Sequence, residues 1–138
     1  MLYRWSLALA TAAALLLAGC ATTQPGPPPV ERIGQRAIER YQAMIGLDFR
    51  KAYGYITPAY REKMSYENHL RARPPLAKYL DAKLLKVDCV SNEACDVDIE
   101  FTTDAVKGIK GAVPWKVTRV ITERWVLVDG QWWYYLRR

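Results

Sequence analysis

The sequence predicts an α+β domain in which N-terminal helices precede an antiparallel sheet, and three observations carry that expectation. An apolar stripe with helical spacing runs from Ile33 to Ile45, and apolar and charged residues alternate with period two between Leu85 and Phe101. Asp129-Gly130 then separates two apolar runs near the C-terminus, a strong local signal for a tight hairpin.

In the first helix Ile33, Ala37, Tyr41 and Met44 form the stripe, with Ile38 and Ile45 beside it, and Gly46 is expected to stop it. Asp48 reads as the cap of a short helix whose apolar positions Phe49, Ala52, Tyr53 and Ile56 follow helical spacing. Thr57-Pro58 opens a third element, with a capping hydroxyl and a proline in the first turn, where its missing N–H costs nothing. Ser65 reads as the cap of a helix from Tyr66 to Ala72, and Pro74-Pro75 ends the helical half.

Two strands follow, from Leu85 to Cys89 and from Cys95 to Phe101, each wet on one face and buried on the other. A hairpin around Ser91-Asn92-Glu93 sets Cys89 opposite Cys95, Val87 opposite Val97 and Leu85 opposite Ile99. Cys89 and Cys95 therefore read as a cross-strand disulfide, worth about 2 kcal/mol in an oxidising compartment. Free thiols or a metal pair are the alternatives, although a chain with one histidine is poorly equipped for a four-ligand zinc site.

A long strand is expected from Val113 to Val128, turning at Asp129-Gly130 and returning through Arg137, with Leu127 facing Trp132, Trp125 facing Tyr134 and Glu123 facing Leu136. The opposite face carries Val126, Val128, Trp133 and Tyr135, so both sides of the hairpin are largely apolar. That second face either contacts a second subunit or partner protein, or its Trp133 and Tyr135 lie flat on a wet sheet or under a loop. Arg119 and Glu123 fall on the face of Trp115, Val117, Ile121 and Trp125. They either pair, line a polar part of a pocket, or are moved to solvent by a β-bulge.

The N-terminus has a different character. Arg4 precedes an apolar run of about 14 residues from Ser6 to Gly19, shorter than the roughly 20 that a spanning helix needs. Leu17-Ala18-Gly19-Cys20 resembles the lipobox of bacterial lipoproteins. That resemblance implies cleavage of residues 1–19, lipidation of Cys20 with diacylglycerol and a further acyl chain such as palmitate, and a cell-envelope location. Ala21, in place of Asp, implies the outer membrane, facing the periplasm. Residues 20–30 contain Pro27-Pro28-Pro29 and read as an extended tether. Residues 31–138 are then one domain.

Removing the signal leaves 119 of 138 residues, enough for a single core. Lys+Arg 20 against Asp+Glu 14 becomes 19 against 14 without Arg4, a net +5. Such a balance suits anionic headgroups or a solvated basic surface, and no nucleic-acid motif accompanies it.

The helices-first order, the segments Asp48-Phe49-Arg50-Lys51-Ala52-Tyr53 and Thr57-Pro58-Ala59-Tyr60-Arg61, and the Trp-x-x-x-Asp-Gly-x-Trp pattern of Trp125 to Trp132 resemble the nuclear transport factor 2-like, or SnoaL-like, superfamily. The resemblance covers residues 31–138 and implies a strongly curved, cone-like sheet closed by helices over a pocket. Members include small-molecule binders, isomerases, dehydratases and subunits of secretion assemblies, so function stays open.

Within that frame Tyr41, Tyr53, Trp115, Arg119, Glu123, Trp125 and Tyr134 are the candidates for lining the pocket. Asp48 is explained as a cap, Glu39 lies on the polar side of its helix, and His69 reads as a surface residue. No catalytic residue, metal ligand or cofactor is assigned. The expected function is non-enzymatic: an anchored protein that binds a small apolar or aromatic ligand, or an envelope partner, with a structural subunit or a pocket isomerase or dehydratase as alternatives.

Overall fold

A computed structural model of the chain describes residues 29–75, 77–104 and 115–137. The elements run α1 (Pro29–Ile45), α2 (Phe49–Tyr53), α3 (Pro58–Lys63), α4 (Tyr66–Ala72), β1 (Tyr79–Ser91), β2 (Ala94–Asp104), β3 (Lys116–Val128) and β4 (Gln131–Tyr134). The four strands form an antiparallel sheet in the order β1-β2-β3-β4, which does not close on itself. Helices and sheet together make the α+β arrangement that the sequence predicts.

α1 begins at Pro29, so Pro29 and Val30 belong to the helix rather than to the tether expected there. Proline is suited to this position because the first N–H groups of a helix have no internal partner. The stripe Ile33, Ala37, Tyr41 and Met44 is buried, against Val97 and Ile99 of β2 and Trp125 and Trp132 of the final hairpin. Gly34 permits the close approach of α1 to β1, since a Cβ built there would stand 2.6 Å from Leu84 Cδ2. Beyond Ile45 the left-handed residue is Leu47, at φ 62°, and not Gly46.

Asp48 caps α2 by accepting from the Lys51 N–H at 3.0 Å, and Ser65 caps α4 by accepting from Asn68 N–H at 3.2 Å. The hydroxyl of Thr57 makes no such bond with α3. Its backbone N–H is used elsewhere, donating to Tyr134 O at 3.1 Å, while Tyr134 N–H donates to Tyr55 O at 2.8 Å. Through this parallel bridge at Ile56 the helical half is fastened to the free edge of β4.

β1 starts at Tyr79, six residues before the alternation becomes legible, and it is irregular. Cys89 faces Cys95 and Val87 faces Val97, but the register shifts between Leu84 and Lys86, so Leu84 and not Leu85 faces Ile99. The inserted residue of a bulge has no partner, which leaves Leu85 46% exposed. The Cys89 and Cys95 sulfurs stand at bonding distance, 2.04 Å.

β2 and β3 pair without interruption from Ala94↔Val126 to Asp104↔Lys116, so no bulge displaces Arg119 or Glu123. Asp129 and Gly130 both take positive φ, 50° and 73°, as the tight turn requires. Leu127 faces Trp132 and Trp125 faces Tyr134. The expected pair Glu123 and Leu136 is not formed, because β4 ends at Tyr134 and its outer edge turns to the segment around Ile56. Among the described residues no helix is long and apolar enough to cross a membrane. Residues 1–28, with the lipobox and Cys20, lie outside the described residues.

Candidate functional site

A cavity of about 410 Å³ opens between the helices and the inner face of the sheet. The short helices supply an apolar wall from Phe49, Ala52, Tyr53 and Ile56, and Met44 of α1 extends it. The strands supply Tyr79 and Phe101, whose rings stand 5.7 Å apart, with Tyr134 from β4. Pro74 and Pro75, which end the helical half, also line it.

The cavity lining includes the basic side chains Arg40, Arg73, Arg119 and His69, beside Thr103 and the tyrosines. Arg40 is the most buried, with its side chain 13% exposed, and it donates from Nη1 to Glu123 Oε1 at 2.7 Å. Its guanidinium also stacks 4.2 Å from the Tyr134 ring centre, a cation–π contact strengthened by exclusion of water. Burial opposes the Arg40 charge, but the Glu123 carboxylate, helped by the surrounding tyrosines, outweighs it and holds the pKa above the ordinary value.

Glu123 is held from three directions. Besides Arg40 it accepts from Tyr41 Oη at 3.0 Å and from Trp125 Nε1 at 3.2 Å. Burial pushes the Tyr41 phenol up, and the Glu123 carboxylate adds to that, so the O–H stays a donor. A buried carboxylate so supplied behaves as a fixed structural anion joining α1 to β3.

His69 is half-buried, with Nδ1 at 3.0 Å from Tyr60 Oη and its ring 5.3 Å from that of Tyr53. Burial, then the charges of Arg73 and Arg40, lower its pKa and favour neutral imidazole. The expectation of a surface histidine is thereby corrected. α4 docks its last turns against the tyrosines of α2 and α3, which periodicity within a seven-residue helix does not reveal.

Of the residues expected in a pocket, Tyr53, Arg119 and Tyr134 line the cavity. Tyr41, Glu123 and Trp125 are not among its lining residues; all three are buried in the core, Trp125 completely. Trp115 does not belong to it: it precedes the first β3 pair, Asp104↔Lys116, and is 58% exposed. Arg119 and Glu123 do not pair with each other, since Glu123 is taken by Arg40 of the helix layer. Arg40, Arg73 and Tyr79 were not foreseen. Only Arg40 left a trace in the sequence, as a charge directly beside the buried stripe.

The second face of the hairpin is partly covered. Trp133 lies under two guanidinium groups, Arg36 at 5.4 Å and Arg61 at 5.1 Å, and Val126 is half-buried. Val128 and Tyr135 remain 37% and 47% exposed. Among the described residues no group of His, Cys, Asp and Glu is arranged to hold a metal ion.

No family model matches the chain, and no curated protein matches it. Among solved structures it is similar to a SEC-C motif containing protein from Rhodopseudomonas palustris, determined in solution, at 14% identity and a TM-score of 0.53 over 73% of each chain. A likeness at that identity concerns the fold alone. It nevertheless corrects the family drawn from the sequence: the chain is not assigned to lipoproteins carrying a nuclear transport factor 2-like or SnoaL-like domain. The Trp-x-x-x-Asp-Gly-x-Trp pattern was misleading for a physical reason. It encodes a two-residue turn with positive φ between apolar strands, a device open to any antiparallel sheet.

Proposed function

We propose that the domain is a non-enzymatic binding module whose cavity takes a small ligand with an apolar or aromatic body. The observation that carries this reading is the cavity itself: about 410 Å³, walled by Phe49, Tyr53, Tyr79, Phe101 and Tyr134. Small-molecule sites commonly have volumes of about 300–1,000 Å³, with mainly apolar walls and a few polar groups that orient the ligand. The three donors on Glu123 support a structural role for that carboxylate rather than proton transfer.

The test is titration of the Cys20→Ser chain with the neutral fluorophore N-phenyl-1-naphthylamine. Saturable enhancement, abolished by filling the cavity with Thr103→Trp, supports the proposal. Absence of enhancement, or equal enhancement in the filled variant, counts against it.

Attachment to a membrane through Cys20 is a separate proposal, resting only on Leu17-Ala18-Gly19-Cys20. Cell fractionation tests it: the Cys20→Ser chain is expected to leave the membrane fraction, and unchanged partitioning would refute the anchor. A second reading, that the hairpin's outer face contacts another subunit or an envelope protein, is favoured by the exposure of Val128 and Tyr135. Sedimentation equilibrium decides whether the domain self-associates.

A further inference from the structure

We infer that the cavity selects an anionic ligand, a carboxylate attached to an aromatic or aliphatic body. This rests on the binding role proposed above and adds the chemical class of the ligand. Three guanidinium groups and an imidazole line the cavity, and among the described lining residues there is no Asp or Glu. Such a wall attracts negative charge and repels cations.

The distribution of partners sharpens the inference. Arg73 donates from Nη2 to the backbone carbonyl of Arg137 at 3.0 Å and makes no ion pair among the described residues. Arg119, opposite Phe101 in the sheet, makes no ion pair among the described residues. Arg40 does have a carboxylate, yet its Nε is buried without any hydrogen-bond partner. The Arg40 plane is already fixed by Glu123 and by stacking on Tyr134, so little freedom is lost when an anion is bound.

Apolar walls dominate the rest of the cavity, with the Tyr79 and Phe101 rings forming one side. A compact inorganic anion would leave those walls exposed to water. A neutral aromatic would leave the guanidinium groups unanswered. A carboxylate on an apolar body meets both demands, and the planar guanidinium matches a planar carboxylate.

The experiment compares 2-naphthoate with its neutral counterpart 2-naphthamide by calorimetry on the full chain bearing Cys20→Ser. 2-Naphthyl phosphate is a third arm. Naphthoate is expected to bind at least tenfold more tightly than naphthamide, with an affinity that falls as salt rises. Arg119→Gln and Arg73→Gln should each reduce that preference severalfold, and Arg119→Lys should restore part of it. Both substituted side chains are exposed, so loss of the fold is not the expected cause. Equal binding of naphthoate and naphthamide would overturn the anionic selectivity while leaving the binding role intact. Binding of none of the three would overturn both, and a clear preference for the phosphate would overturn the carboxylate assignment.

Discussion

Arg40 of α1 and Glu123 of β3, separated by 83 residues in sequence, meet at 2.7 Å in the core. This ion pair joins the helix layer to the sheet and fixes Arg40, a largely buried cation among the described residues that line the cavity.

Its first consequence concerns stability. Removing one partner of a buried pair leaves the other charge desolvated and alone, so Glu123→Leu should cost about 3–5 kcal/mol in urea unfolding. Tyr41→Phe, which removes only the phenol donor, should cost about 1.5–3 kcal/mol. Combining Arg40→Met with Glu123→Leu should cost clearly less than the sum of the two single changes. Additive losses would mean that the two groups do not interact in solution.

The hairpin of β1 and β2 carries a second expectation. Cys89 faces Cys95 in the ladder, and the protein should hold them oxidised, protected from thiol labelling under denaturing conditions without reductant. Reduction should lower stability by about 2 kcal/mol, the range for closure of a short loop. Two freely labelled thiols in freshly isolated protein would remove this cross-link.

His69 sets a pH dependence whose sign follows from its surroundings. Burial, with Arg73 and Arg40 nearby, places its folded pKa below the ordinary 6.5, so the unfolded chain takes up this proton first as pH falls. Stability should therefore decline as pH drops below about 6.5, until the folded form is protonated too. Urea midpoints between about pH 7 and pH 5 should show a shallower decline for His69→Gln than for the unaltered protein. An unchanged slope would assign the acid sensitivity to other groups.

How much of this was legible in the sequence depended on the range of each interaction. The α1 stripe, the Asp48 and Ser65 caps and the Asp129-Gly130 turn are written in local spacing, and each forms as expected. The bulge at Leu85 was hidden because Leu84 and Leu85 are the same residue, so alternation alone could not say which faces inward. The strand beginning at Tyr79 was missed because Ala82-Lys83-Leu84 does not announce a period.

The candidate site was less legible than the fold. Tyr53, Arg119 and Tyr134 could be placed by face, but the partner of Glu123 depended on where α1 lies across the sheet, and no local pattern encodes that contact. Trp115 was misjudged for the converse reason. Its strand phase was extended beyond the residues that are paired, and there the side chain is exposed.

The most direct test of the binding role is a map of backbone and aromatic NMR shifts in the Cys20→Ser chain as N-phenyl-1-naphthylamine is added. Saturable shifts concentrated on Phe49, Tyr53, Tyr79 and Tyr134 are the expected result. Shifts confined to Val126, Val128, Trp133 and Tyr135, or no saturable shifts at all, would contradict it.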